Sequence, residues 1–177
     1  GNSVEKNAAM RALGATLIEH GADFQECREY AIALAAERGA HMVPSFHPAL
    51  LRGVARHQDR FHVLAGDFNC IPRDEDCWDP KVWGDDALAW PETRDRFRQL
   101  QYMGYTDAFM ARDGRIQKYT FWDYQAGAWQ KDWGIRIDHL MCSPQAADRL
   151  KSIGIHKMAR ALDKPSDHVP VIASFAD

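Results

Sequence analysis

Three short stretches place acids directly after or beside apolar residues, and in two of them a histidine follows the acid at once: His62-Val-Leu-Ala-Gly-Asp-Phe-Asn69, Arg136-Ile-Asp-His139 and Ser166-Asp-His168. In the first, an apolar run bounded by glycine reads as a buried strand, so Asp67 and Asn69 emerge at its carboxyl end, where loops commonly build sites. A carboxylate beside an imidazole can fix the ring tautomer, and a carboxylate can also ligate a hard cation. Each acid alone has a plainer reading. Asp67 can cap a turn, and Asp138 can pair with Arg136 or another base. Asp167 can belong to a turn before a strand, and His168 can be a satisfied core histidine. The repeated apolar-to-acid punctuation is what makes one shared site the expectation.

The chain that must position these residues has 177 of them, 46% hydrophobic, enough to bury a core as one domain or one and a half. A net charge of −3 gives no global attraction to nucleic acid or to an anionic membrane, so a polyanion partner needs a local basic patch or a bridging cation. No apolar run approaches the roughly 18 residues that span a bilayer, and no signal-peptide pattern is present. Cys27, Cys70, Cys77 and Cys142 are scattered without a CxxC, which fits a reducing cytoplasm better than a zinc knuckle or a disulfide scaffold. Gly1-Asn2-Ser3 does not read as a native translation start and suggests a fragment.

The chain reads as α/β, with α+β character in its C-terminal part, and residues 1–57 as an αβαβ unit. Ser3 caps a helix over Val4 to Leu13 that stops at Gly14, and Ala15 to Glu19 reads as a short strand. Asp23-Phe-Gln-Glu26 has the form of a capping box, with Phe24, Cys27, Ala31, Leu34 and Ala35 on one face of a helix that ends at Arg38-Gly39. His41 to Val43 is a second strand, and His41 and His47 are structural. GNSVEKNAAMRALGATLIEHGADFQECREYA and HMVPSFHPALLRGVA, which make up nearly all of residues 1–55, resemble the small domain of fold-type II pyridoxal-phosphate enzymes, the threonine dehydratase and serine racemase group. In that group a Ser-x-Lys lysine forms the Schiff base and a glycine-rich loop holds the phosphate. Neither is present, so pyridoxal phosphate is not expected.

From residue 58 aromatic content rises and acids cluster, and a second domain over 58–177 is placed here. Cys70 to Trp90 is a long turn-rich loop, of a kind that is usually functional or a surface excursion. Pro91 opens a helix with Phe97, Leu100 and Met103 inward and Gly104 at its end, and Arg94, Arg96 and Arg98 spread over its solvated surface. Tyr119 to Tyr124 reads as a strand rich in aromatics. Ile135 to Met141 reads as a central strand, Ser143 to Leu150 as a short helix, and Ile153 to Met158 and Val169 to Phe175 as further strands, several pairing antiparallel.

GDFN, GYTDAF, YTFWDYQAGAW, GIRIDHL and KPSDHVPV, in that order over residues 61–175, closely resemble the second half of the exonuclease III branch of the endonuclease/exonuclease/phosphatase superfamily, which includes the abasic-site endonucleases. The resemblance implies half of an αββα sandwich and metal-dependent hydrolysis of DNA phosphodiesters. It implies that Asp67 orients or deprotonates the attacking water and that Asn69 donates to the phosphate. It makes Asp138 and His168 a carboxylate–imidazole pair facing the scissile phosphate, and Asp167 a ligand of Mg²⁺ or Mn²⁺. Asp107 matches the pattern but is expected to hold the fold. Trp122 is a candidate DNA wedge, with Lys118, Lys131 and Arg136 as phosphate contacts; alternation instead puts some of Phe121, Trp122 and Tyr124 in the core.

The family's first half supplies an asparagine, a metal-ligand glutamate and a tyrosine, and residues 1–60 hold no matching motif. The first sheet of the sandwich is expected to be missing, leaving an apolar sheet face for the N-terminal unit or a homodimer to cover. Two functions follow: a DNA phosphodiesterase weakened by the absent glutamate, or a folded chimera of two half-domains without catalytic competence.

Overall fold

The structure, a computed structural model, describes residues 4–21, 24–40, 53–57 and 59–177. It contains two compact units, one within Gly1–Pro44 and one within Ser45–Asp177.

In the first unit, helix α1 (Val4–Ala12) ends at Gly14, whose φ of +83° suits a residue without Cβ. Helix α2 (Phe24–Arg38) ends in the same way at Gly39, φ +61°. Ala15 to Glu19 does not form the expected strand: Glu19 pairs with Arg11 at 3.2 Å and the His20 ring stacks on Tyr30. A strand is sustained by its ladder, and the described part of this unit contains no strand to pair with. The expected partner at His41 to Val43, together with His47, lies outside the described residues. Cys27 is exposed rather than inward, whereas Ala31, Leu34 and Ala35 are half-buried.

The second unit is layered. Strands β1 (Val63–Asp67), β2 (Thr106–Asp107) and β3 (Asp138–Cys142) form an antiparallel sheet in the order β1-β3-β2, with β3 central as expected. On one face, Leu64 and Met141 pack against Phe97 and Leu100 of helix α3 (Pro91–Tyr102), which ends before Gly104 at φ +95°. On the other, Val63, Leu140 and Cys142 pack against Leu150, Ile153, Ala173 and Phe175. Those residues belong to β4 (Leu150–Ile155) and β5 (Val171–Phe175), an antiparallel pair. The sheet face expected to lie bare is therefore partly covered from within the same unit, by two strands that follow it in the chain. The mixed helix and strand content is the α/β class read from the sequence.

Tyr119 to Tyr124 is not a strand. It meets its neighbours at isolated bridges, Phe121 with Ile135 and with His168, and left-handed residues bracket it, Gln117 at φ +54° and Ala126 at φ +54°. Two of its aromatics go inward, Tyr119 and Trp122, which form a cluster with Val169, Trp78 and Trp129, whereas Phe121 is half-buried and Tyr124 is exposed. Within the 70–90 loop, Asp74–Asp76 makes a 3-10 turn and Pro80–Trp83 a helical turn capped by Asp79.

Candidate active site

Antiparallel register brings the first two acids together. Asp67 is the last residue of β1 and Asp138 the first of β3, and they are direct cross-strand partners. Beyond Asp67 the chain turns at Asn69, which adopts φ +46°, a conformation asparagine tolerates better than most residues. The turn is held by the Asn69 amide, which donates to Asp67 Oδ1 at 2.8 Å.

His168 completes the group from the segment before β5. Its Nδ1 lies 2.9 Å from Asp138 Oδ2, and Nε2 lies 4.0 Å from Asp67 Oδ2. Both side chains of the wider pair are about one-third exposed, 32% for His168 and 35% for Asp67, so the gap between them opens to solvent. The Phe121 ring packs edge-on against the imidazole with centroids 5.0 Å apart. Asp167 is half-buried; its carbonyl accepts from the Trp122 amide and its carboxylate from the Ser166 hydroxyl.

This arrangement shifts the titration of both groups. The hydrogen bond to Asp138 raises the His168 pKa above the ordinary imidazole value, and the charges of Asp138, Asp67 and Asp167 add to it against the cost of burial. Partial burial raises the Asp67 carboxyl, with further upward pressure from Asp138 and Asp167; the Asn69 amide and His168 act against it. A carboxyl raised in this way is a better base, and an imidazole whose cationic form is favoured is a better partner for an oxyanion.

Behind the site lies a buried ionic network. Arg136, 1% exposed, reaches Asp76 through Nε and Nη2 at 2.8 and 3.2 Å, and Asp107 through Nη1 at 2.9 Å. Arg73 also binds Asp76. Asp107 accepts from the amides of Phe109 and Met110, capping the short helix Ala108–Arg112, which is the fold-holding role expected of it. His139 sits beside Arg136, and burial, then the guanidinium charge, lowers its pKa to about 4. The neutral ring donates from Nε2 to the Cys70 carbonyl at 3.1 Å and accepts at Nδ1 from Arg136 at 3.0 Å.

Two candidate DNA contacts are thereby corrected. Trp122 is fully buried and its indole donates to Asp132, so it presents no wedge. Arg136 has its guanidinium committed to Asp76 and Asp107 and meets no solvent; nor does it pair with Asp138. Lys118 and Lys131 are exposed, and Lys131 lies 4.0 Å over the Trp133 ring, which stacks on Trp78. Arg94 also departs from the solvated surface assigned to it, binding the Ile71 carbonyl and Asp74. Asp76, Thr120 and Phe121 carry no local signal for roles near the site. Asp76 is one of several acids in its loop, and Thr120 and Phe121 read as strand residues.

The donors fit a metal only in part. Asp67, Asp138 and Asp167 offer oxygens of the kind hard cations prefer. Among the described residues, however, no three His, Cys, Asp or Glu side chains converge as a metal site.

Two facing antiparallel layers, with a carboxylate–imidazole pair and a second carboxylate at one end, define a class: an α/β protein with a polar cluster of acids and an imidazole at strand ends. Comparison with known proteins narrows it. The Endonuclease/Exonuclease/phosphatase family model matches residues 2–168, and the chain belongs to that family. The match includes the N-terminal segment, whose sequence reads as resembling pyridoxal-phosphate enzymes; no comparison shows that resemblance. The chain is similar to exodeoxyribonuclease III of Haemophilus influenzae, 28% identical over 73% of this chain and 52% of that protein. It is 34% identical to the DNA repair nuclease APEX1 of Danio rerio over 64% of this chain and 36% of that protein. A solved 3' phosphatase, NExo from Neisseria, bound to a product DNA hairpin, is 37% identical with a TM-score of 0.69, covering 72% of this chain and 51% of that one. The chain thus spans about half the length of the first of these curated relatives.

Proposed function

We propose that this chain carries the catalytic end of a DNA phosphodiesterase of the exonuclease III or abasic-site endonuclease type. The observation that carries the reading is the line Asp138–His168–Asp67, with Nδ1 2.9 Å from one carboxylate and Nε2 4.0 Å from the other. Asp138 keeps the proton on Nδ1 and favours the cationic ring, so Nε2–H points into the open gap toward a phosphate oxygen. Asp67 stands across that gap as the base or orienting group for water, and Asn69 follows it on the turn as a donor to the phosphate. DNA is the partner that the family and the relatives support, and Lys118 and Lys131 are the exposed cations assigned to its phosphates. No helix among the described residues is long and apolar enough to cross a membrane.

Mg²⁺ or Mn²⁺ is the cofactor proposed, with Asp167 as one ligand; the cation supplies charge neutralisation at the phosphate when bound. A second reading, a folded chain without activity of its own, is favoured by the lack of three converging donors among the described residues. Pyridoxal-phosphate chemistry is not proposed, because no Ser-x-Lys occurs in the sequence.

Incision of an abasic-site duplex and resection of a recessed 3' end, with Mg²⁺ and with EDTA, test the proposal against Asp67→Asn and His168→Ala. EDTA-sensitive cleavage lost in both variants is the expected result. Cleavage no greater in the parent than in the variants leaves only the inactive reading.

A further inference from the structure

Thr120 lies in the aromatic run but is neither aromatic nor exposed; its side chain is fully buried. Its Oγ1 accepts from two consecutive amides, those of Ile137 and Asp138, each at 3.1 Å. A hydroxyl oxygen has two lone pairs, and both are used here. Its own amide donates to the Ile135 carbonyl at 2.9 Å, and its carbonyl accepts from the Val169 amide at 2.8 Å. One residue therefore grips the backbone at Asp138 through its side chain and the residue after His168 through its main chain. The next residue, Phe121, bridges to His168 and packs its ring on the imidazole.

The need for such a grip follows from the sheet. Strand β2 pairs with β3 only at Met141 and Cys142, so on that side no ladder reaches Asp138. His168 comes from a different segment, just before β5, and no described ladder joins β5 to β3. Thr120 stands where the missing ladder would run.

We infer that Thr120 is the positioning residue of the Asp138–His168 pair: its hydroxyl sets the backbone of the acid, and its carbonyl sets that of the histidine. This rests on the reading of that pair as the working site. Valine has the same shape without the acceptor, so Thr120→Val leaves two amides without their partner and frees Asp138 to move relative to the ring. Thr120→Ser keeps the acceptor.

The test is the tautomer of His168, read from imidazole nitrogen and low-field proton signals of the ¹⁵N-labelled full chain at one fixed alkaline pH where the ring is neutral. The unmodified chain and Thr120→Ser are expected to hold the proton on Nδ1. In Thr120→Val the ratio of Nδ1–H to Nε2–H falls by roughly tenfold, the size of one net hydrogen bond. A folded Thr120→Val with the parent's ratio overturns the inference, as does a Thr120→Ser that behaves like Thr120→Val. Should Thr120→Val not fold, the Ile137 and Asp138 amides of the unmodified chain decide. Strong protection from hydrogen exchange supports the grip, and exchange as fast as at the exposed Leu162 to Lys164 turn overturns it. The tautomer is read without substrate or metal, so absence of nuclease activity speaks against the proposed function alone.

Discussion

Asp138 and His168 come from segments 30 positions apart and meet at 2.9 Å, with the ring's far nitrogen turned toward Asp67. A carboxylate in this position acts through the imidazole, holding its tautomer and favouring its charge. Asp138→Asn keeps the shape and removes both effects. On the proposed function, incision falls by about 10²–10⁴-fold, the usual worth of a positioned acid–base group. Because the two residues form one unit, Asp138→Asn combined with His168→Ala costs little more than His168→Ala alone. Fully multiplicative losses in single-turnover rates would show that they act separately.

The network around Arg136 is balanced, with Arg73 and Arg136 against Asp76 and Asp107. A buried ion pair weighs its attraction against desolvation, but removing one partner leaves the other buried and unpaired. Arg136→Leu is therefore expected to destabilise the chain by about 3–5 kcal/mol, measured as the change in urea midpoint at constant slope. A change below about 1 kcal/mol, typical of a surface pair, would show that the guanidinium is solvated in solution.

How much of this was legible in the sequence depends on whether the signal was local. The strand ending in Asp67, half-buried to exposed rather than buried as its composition suggests, the helix Pro91–Tyr102 and the central strand all announce themselves by apolar period and punctuation. The meeting of Asp67, Asp138 and His168 was legible only through the order of several motifs. What escaped were decisions made by tertiary context. Tyr119 to Tyr124 has strand composition, yet the fold buries Trp122 and Tyr119 and gives the run no continuous partner. Arg136 looked like a DNA contact because it is cationic and near aromatics, and only the folding back of Asp76 from the 70–90 loop shows its charge already spent. Covering of the β1–β3 face by β4 and β5 follows from the chain's return path, which composition does not encode.

Stability should rise with pH on the acid side. Arg73 and Arg136 hold the Asp76 carboxyl below its ordinary value despite its burial. That contribution is complete above the unfolded carboxyl value and is lost as pH falls through the folded one. His139 acts in the same direction. Its folded value of about 4 lies below the ordinary 6.5, so between these values the unfolded chain binds a proton that the folded chain refuses. The His139 part has an upper bound on the order of 3 kcal/mol. His168 opposes it: raised in the fold, its contribution is present below the unfolded imidazole value and is lost as pH rises through the folded one. Urea titrations from pH ~4 to ~7 should show stability climbing, with a shallower climb in His139→Gln. An equal slope in that variant would assign the whole dependence to the carboxyls.

Trp122 and Lys131 separate the two meanings of an aromatic, basic stretch. Trp122 is buried in the Tyr119–Val169 cluster with its indole N–H on Asp132, whereas Lys131 is exposed over Trp133. Trp122→Ala therefore costs stability, about 3–5 kcal/mol for a large buried aromatic. On the proposed function, Trp122→Phe, which keeps most of the volume, should still fold and bind DNA as the parent does. Lys131→Gln should leave the unfolding midpoint within about 0.5 kcal/mol and weaken DNA binding at low salt, lowering the slope of log affinity against log salt by about one if it neutralises one phosphate. Lys118→Gln is expected to behave likewise. If Trp122→Phe abolished binding in a chain of unchanged stability, the indole would have to leave its core position to meet DNA, and the aromatic cluster would be a recognition element rather than packing.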